Sequence, residues 1–322
     1  MTTNNASEVF LHQIRRCIRT GGRITKGLSN ACTPQTVDAV MTESGHGESA
    51  LGYAIRYKFW DIAEFLVRRG ANVNFRPVLA HSPMWTLIRT RSNHNCDWER
   101  TILLTDILEE ISADDLRYFL NQDLFGIIPP LFTVRNATIL GGLFHHDYVL
   151  EYALLYENLT TGNNVLMDYI FFKNRFAHMR SNRHRDHEGM FNRIADEMHE
   201  SNSRKALKLI FYHRNDNGRN LLRVAMEEQD LSIVSLLLNR WYSEKLDPAY
   251  RKIFINLWVD NVDSHLISAC KLPSDDEFAE EIDHLVAICK KMTRFGALVN
   301  EKDLNGLTPL CHVVKWPDRF FQ

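Results

Sequence analysis

The 322-residue sequence predicts an all-α chain in which short helical hairpins stack side by side, and three observations carry that prediction. An opening of Gly, one residue, a small polar residue and an apolar pair recurs near Gly47, Gly218 and Gly306. Behind it come apolar residues at the i, i+3, i+4 spacing of a helix with one buried face, such as Ile62, Phe65 and Leu66 or Ile233, Leu236 and Leu237. Nothing in the chain reads as a set of long alternating strands.

At the N-terminus, Val9, Leu11, Ile14 and Ile18 predict a helix whose outer face carries Arg15, Arg16 and Arg19, as expected of a cap that blunts one end of a stack. The segment from Gly47 to Asn74, GESALGYAIRYKFWDIAEFLVRRGANVN, then gives two short helices joined by a turn, and Asp216 to Arg240 repeats the design. Ala54 and Ala225 each fall three places after a leucine, Leu51 and Leu222. Glycine and asparagine at Gly70 and Asn72 suit turn positions with positive φ. A hairpin of this length cannot bury its apolar stripe alone, so it must stack on neighbours and share a core with them.

These residues resemble the ankyrin repeat, whose signature is a turn, a TPLH-type helix opening, a second helix and a glycine-containing return. Thr308-Pro309-Leu310 matches the opening best, and RRGANVN (68–74) and FGALVN (295–300) match the return. Further openings fall at Met84, Leu131, Leu166, Leu222 and Leu266, at intervals wide enough to require insertions. Between Met84 and Leu166 the register is open: Asp97 to Glu110 is either the second helix of the Met84 unit or the first helix of another. The resemblance implies one elongated solenoid of stacked helix-turn-helix repeats over 1–322. Its expected parts are an N-terminal cap (1–42), clear repeats (43–91), divergent repeats (92–172), a basic insertion (173–203) and C-terminal repeats ending in a half repeat (204–322). Trp316, Phe320 and Phe321 then either fold back over the last helix or leave a docking surface.

The resemblance also implies a non-catalytic adaptor or scaffold that binds a protein or peptide on its concave side, at turn tips and first-helix ends. Carried over residue by residue, the implied contact positions are Arg56 and Tyr57, Arg89 and Thr90, Phe171 and Phe172, Glu227 and Glu228, Lys271 and Leu272, and Lys315 and Trp316. Aromatic anchors with charges of both signs suit a protein interface.

Composition narrows the alternatives. Lys+Arg 38 against Asp+Glu 40 leaves a net charge of −2, which excludes a generally basic nucleic-acid coat. Six cysteines without a CxxC pair argue against a disulfide scaffold or zinc ribbon and for reduced thiols in cytoplasm or nucleus. No apolar run has the length of a membrane span. No phosphate loop, dinucleotide fingerprint, nucleophile elbow or HEXXH motif occurs, so neither catalysis nor a cofactor is expected. The segment 173–193 holds six Lys/Arg against two acids. Lys173, Arg175, Arg180, Arg183 and Arg185, with Phe176 and Phe191 interleaved, make RNA contact the alternative reading beside a solvated loop. His184, His187 and His199 lack a third ligand at a recognisable spacing, so no metal is expected.

Overall fold

The computed structural model describes residues 3–41, 47–77, 81–89, 97–120, 143–144, 146–177, 187–256, 263–272 and 282–314. The chain divides into two compact units, Met1–Tyr152 and Ala153–Gln322. The described residues are mostly helical, with one two-stranded ribbon among them.

The first unit opens with α1 (Thr3–Arg19) packed on α2 (Lys26–Ala31), which Thr25 caps by accepting the Leu28 amide at 3.2 Å. The buried stripe of α1 is Phe10, Leu11, Ile14 and Cys17, while Val9 is half-exposed. The expected stripe beginning at Val9 is thus rotated: residues 10, 14 and 17 follow the helical period, and Phe10 brings the largest apolar side chain inward. Next come β1 (Val40–Met41) and β2 (Glu48–Ser49), antiparallel with Val40 opposite Ser49. The hairpin of α3 (Ala50–Arg56) and α4 (Trp60–Arg68) follows, then α5 (Pro83–Arg89), α6 (Asp97–Glu110) and α7 (Ala113–Leu120). Helix α3 packs on α5 and α4 on α6. The buried Arg100 of α6 donates from Nη2 to the Leu87 carbonyl of α5 at 2.8 Å. These contacts put α6 in the second-helix place of the Met84 hairpin, the choice that spacing left open. Helix α8 (Asp147–Leu155) crosses the division between the units.

The second unit contains α9 (Val165–Ala177) and α10 (His187–Leu207), the latter running into a π-helical turn over Lys208–Tyr212. Helices α11 (Leu221–Glu227) and α12 (Leu231–Leu236) form the next hairpin, α12 continuing as a π-helix over Leu237–Lys245. An extra helix, α13 (Pro248–Ile255), precedes α14 (His265–Lys271), α15 (Ile282–Arg294) and α16 (Pro309–Val313). First helices pack on first helices, α9 on α11, α11 on α14 and α14 on α16. Second helices do likewise, α10 on α12 and α12 on α15.

Hairpins in the two units share details that periodicity alone does not specify. Lys58 and Gln229, each seven places after the opening leucine, have φ of 63° and 56°. The next residue bonds back identically, Phe59 N to Ala54 O and Asp230 N to Ala225 O, both at 2.9 Å. After the second helix, Gly70 and Gly296 sit at φ of 81° and 90°, and Ala71 N and Ala297 N return to Leu66 O and Met292 O, both at 3.0 Å. That is a helix C-terminus closed through a left-handed glycine.

The openings are capped by small polar side chains. Ser49 accepts the Gly52 amide, Ser82 that of Trp85, Asn164 those of Leu166 and Met167, Asn220 that of Arg223 and Ser264 that of Ile267. Thr308, in the best sequence match, makes no side-chain cap bond. The Leu131 opening and the aromatic residues Trp316, Phe320 and Phe321 lie outside the described residues.

Repeat equivalence does not mean energetic equivalence. Leu51 is fully buried, whereas Leu310, at the matching position of α16, is 68% exposed. In urea titrations Leu51→Ala should cost 2–5 kcal/mol, in the range of about one core truncation, while Leu310→Ala should stay within about 0.5 kcal/mol.

Candidate functional site

The turns that lead into the first helices of the second unit form a polar lattice. Asn215 Oδ1 accepts the backbone amides of Asn217 and Arg219 at 3.1 and 2.9 Å, and Asp303 Oδ1 accepts those of Asn305 and Leu307 at 2.9 and 2.8 Å. In both turns the main chain closes on itself, Asn215 N to Arg219 O and Asp303 N to Leu307 O, and a glycine at φ of 72° or 74° makes the bend. Each side chain thus satisfies amides that the bend leaves without backbone partners. The Asn215 Nδ2 donates to Asn163 Oδ1 at 2.9 Å, and Asn163 Nδ2 donates to Asp168 Oδ1 at 2.8 Å. The other oxygen of this buried aspartate accepts from the Tyr156 hydroxyl at 2.6 Å and Asn158 Nδ2 at 2.7 Å.

Charged side chains extend the lattice from one first helix to the next. Glu227 holds Arg219 Nε at 2.6 Å and Arg223 Nε at 2.7 Å. Arg223 Nη1 reaches α14 and its turn, donating to the Asp263 carbonyl at 2.9 Å and to the Ser268 hydroxyl. Lys271 Nζ lies 2.7 Å from Asp263 and 3.0 Å from Asp303, and Asp303 also takes His312 Nε2 at 3.0 Å. The Leu307 amide holds the Asp303 carboxyl well below the usual carboxylate range, working against burial, with Lys271, His312 and the Asn305 amide adding to it. Burial works against the charge on Lys271, but Asp263 and Asp303 outweigh it and raise its pKa.

Beneath the ladder, His265 is buried, with Nδ1 at 2.8 Å from the Ile255 carbonyl and Nε2 at 3.1 Å from Asn220 Oδ1. Both oxygens can only accept and the neutral ring carries a single N–H, so the ring donates to one of the two at a time. Burial pushes its pKa down to about 4; the Ile255 carbonyl pulls upward, and Arg223 and Arg214 push down again.

The positions implied by the resemblance fall unevenly on this framework. Glu227 and Lys271 belong to the ladder, and Glu228 follows at the end of α11. In the first unit, Tyr57 ends α3 with half its surface exposed and its ring 4.5 Å from Tyr53. Arg56 Nη2 lies 3.1 Å from the Glu48 carboxylate, which is buried beneath it. Burial raises the Glu48 pKa and Arg56 lowers it in part, so Arg56 has a structural duty besides any contact. Arg89 ends α5. Phe172 is buried and Phe171 half-buried, their rings edge-on at 5.6 Å. Phe172 therefore presents no accessible ring, because α9 turns that side into the core. Thr90, Lys315 and Trp316 lie outside the described residues.

The basic segment 173–193 is helical at both ends: Lys173 and Arg175 lie in α9, and His187–Arg193 open α10. Phe191 is fully buried, 6.2 Å from the Tyr169 ring, so it is core and not a surface for stacking bases. Arg180, Arg183, Arg185 and His184 lie outside the described residues. His199 bonds Ser203 at 3.2 Å and meets Trp241 edge-on.

Spacing alone did not identify Arg219, Arg223, Asp263, Asp303 and His312 as one network. The signals were present: Asn215 and Asp303 stand three places before a turn glycine, and Arg223 and Glu227 are four apart on a helix.

Residues 46–75 match the family model for the ankyrin repeat, the stretch that contains β2, α3, α4 and the Gly70 return. No curated protein matches the chain. No described helix is long and apolar enough to cross a membrane.

The depressed pKa of His265 predicts a pH effect of definite sign. The unfolded ring takes a proton below its ordinary value of 6.5, the folded ring only near 4. Stability is therefore complete above pH 6.5 and falls as pH drops toward 4, by about 2 kcal/mol at pH 5. Urea unfolding of the wild type and a His265→Gln variant at pH 7 and pH 5 should show a larger loss in the wild type.

Proposed function

We propose that this chain is a non-catalytic adaptor whose stacked hairpins present a preformed surface to a protein or peptide partner, and that the hairpins within each unit are ankyrin-type repeats. Ankyrin repeats generally mediate protein–protein interaction. The observation that carries the reading is the placement of exposed and charged side chains at two adjacent positions that end the first helices, five and six places after the opening leucine. Tyr57, Glu227 and Lys271 all occur where a first helix ends, on hairpins whose inner faces are apolar and whose turns are locked by hydrogen bonds.

A rigid framework of this kind loses little conformational freedom on binding, so a few anchors at the helix ends can supply specificity. Tyr57 offers a large, half-exposed ring with two rotatable angles. The ion ladder around Glu227 and Lys271 offers charges of both signs in fixed positions, which favour complementary partners and penalise mismatched ones.

The test is affinity capture with the full chain, with and without nuclease, comparing wild type with Tyr57→Ala. A protein partner should persist after nuclease treatment and fall at least tenfold with the variant, as about 1.4 kcal/mol of lost contact requires. The melting temperature should be nearly unchanged. Arg56→Ala is the wrong probe, since it strips the buried Glu48 of its cation. Capture that disappears with nuclease alone would replace this reading with the RNA alternative.

A further inference from the structure

A cleft in the second unit lies between the row of second helices, where the proposed adaptor surface has no part. One wall is α12 with its π-helical continuation, bearing Ser235 and Asn239; the other is α15, bearing Lys290, Lys291 and Arg294. Leu238 and Ile288, both buried, line its base. Among the described residues no carboxylate lines the cleft. Among the described residues none of its three cations is in an ion pair, whereas the neighbouring Arg240 is paired with Asp196 at 2.8 Å.

We propose that this cleft binds a phosphate group, carried either by a small phosphorylated molecule or by a phosphorylated side chain of a peptide. Three unpaired cations exceed what one carboxylate would neutralise, and they suit a dianion with several acceptor oxygens. Arg294 offers a planar fork, and the two lysines act as mobile point charges. The opposing wall adds neutral donors, the Asn239 amide and the Ser235 hydroxyl. Ser235 Oγ is held 2.6 Å from His284 Nε2. When that nitrogen carries the proton, Ser235 accepts it and its own hydrogen is free to point at a ligand.

Two further considerations bear on the site. The cleft is at the C-terminal end of α15, whose dipole contributes about half a negative charge. Three full positive charges outweigh it, and part of their clustering stabilises the helix end. Lys291 is also held, its Nζ 5.6 Å from the Phe295 ring centroid, which limits the rotamer freedom lost on binding. The facing wall is a nine-residue π-helix carrying Leu238 and Asn239. Such stretches are rare and frequently occur at functional sites.

The experiment is calorimetric titration of the full chain at low and moderate salt with inorganic pyrophosphate, a phosphoserine peptide and its unphosphorylated twin. The variant is Lys290→Glu/Arg294→Glu, both residues being exposed; Arg19→Glu/Lys302→Glu is a charge-matched control elsewhere on the chain. Circular dichroism melts verify folding, and Asn239→Ala removes a neutral donor without altering charge. Binding of pyrophosphate, or of the phosphopeptide alone, identifies the source. In either case the charge-reversed cleft should bind at least tenfold more weakly, Asn239→Ala should weaken binding several-fold, and the control should match wild type. The proposal is overturned if neither phosphorylated probe binds, if the cleft variant binds as wild type, or if the control loses as much.

Discussion

The packing of one first helix on the next is the constraint on which the rest of each unit depends. Helices of seven residues such as α3, α11 and α14 are too short to persist alone in water. They exist because side chains such as Leu51, Leu222 and Leu266 are buried between neighbours, and the shared burial offsets the entropy of ordering each hairpin. Small polar residues at the openings, Ser49, Asn164, Asn220 and Ser264, then satisfy amides that so short a helix cannot satisfy internally.

Polar order in the second unit grows from that packing. Once first helices lie side by side, their preceding turns are also brought together, and the lattice of Asn163, Asn215, Asp168 and Asp303 becomes sterically available. Its groups are buried, so each lost bond would leave a desolvated donor or acceptor behind. The ladder from Arg219 through Glu227, Arg223 and Lys271 to Asp303 and His312 binds consecutive first helices by electrostatics where their apolar faces end. This gives the surface a fixed pattern of charge at little cost in flexibility, a useful property in a recognition surface.

The two rows of helices have different chemistry. First-helix ends carry paired charges together with Tyr57, while the second-helix row carries a cleft of cations that have no carboxylate partners among the described residues. Paired charges tune which partner fits, since their fields cancel at a distance; unpaired ones attract anions over about a Debye length. A chain of net charge −2 can therefore hold a local anion site without acting as a generally basic protein.

The sequence by itself determined the helical class and the repeated opening and return, because these depend on local periodicity, capping and glycine placement, whereas the left-handed turns at Lys58 and Gln229 emerged only in the structure. It also carried the family likeness, which the family model matches over residues 46–75. Tertiary structure alone decided that Phe172 and Phe191 point inward, that α1 buries Phe10 in place of Val9, and that α6 completes the Met84 hairpin. It likewise decided that Arg56 answers a buried Glu48 and that residues as distant in sequence as Arg223 and Ser268 meet. Each of these depends on which face of a helix a neighbour covers, and that is a property of packing between segments, which no single stretch of sequence contains.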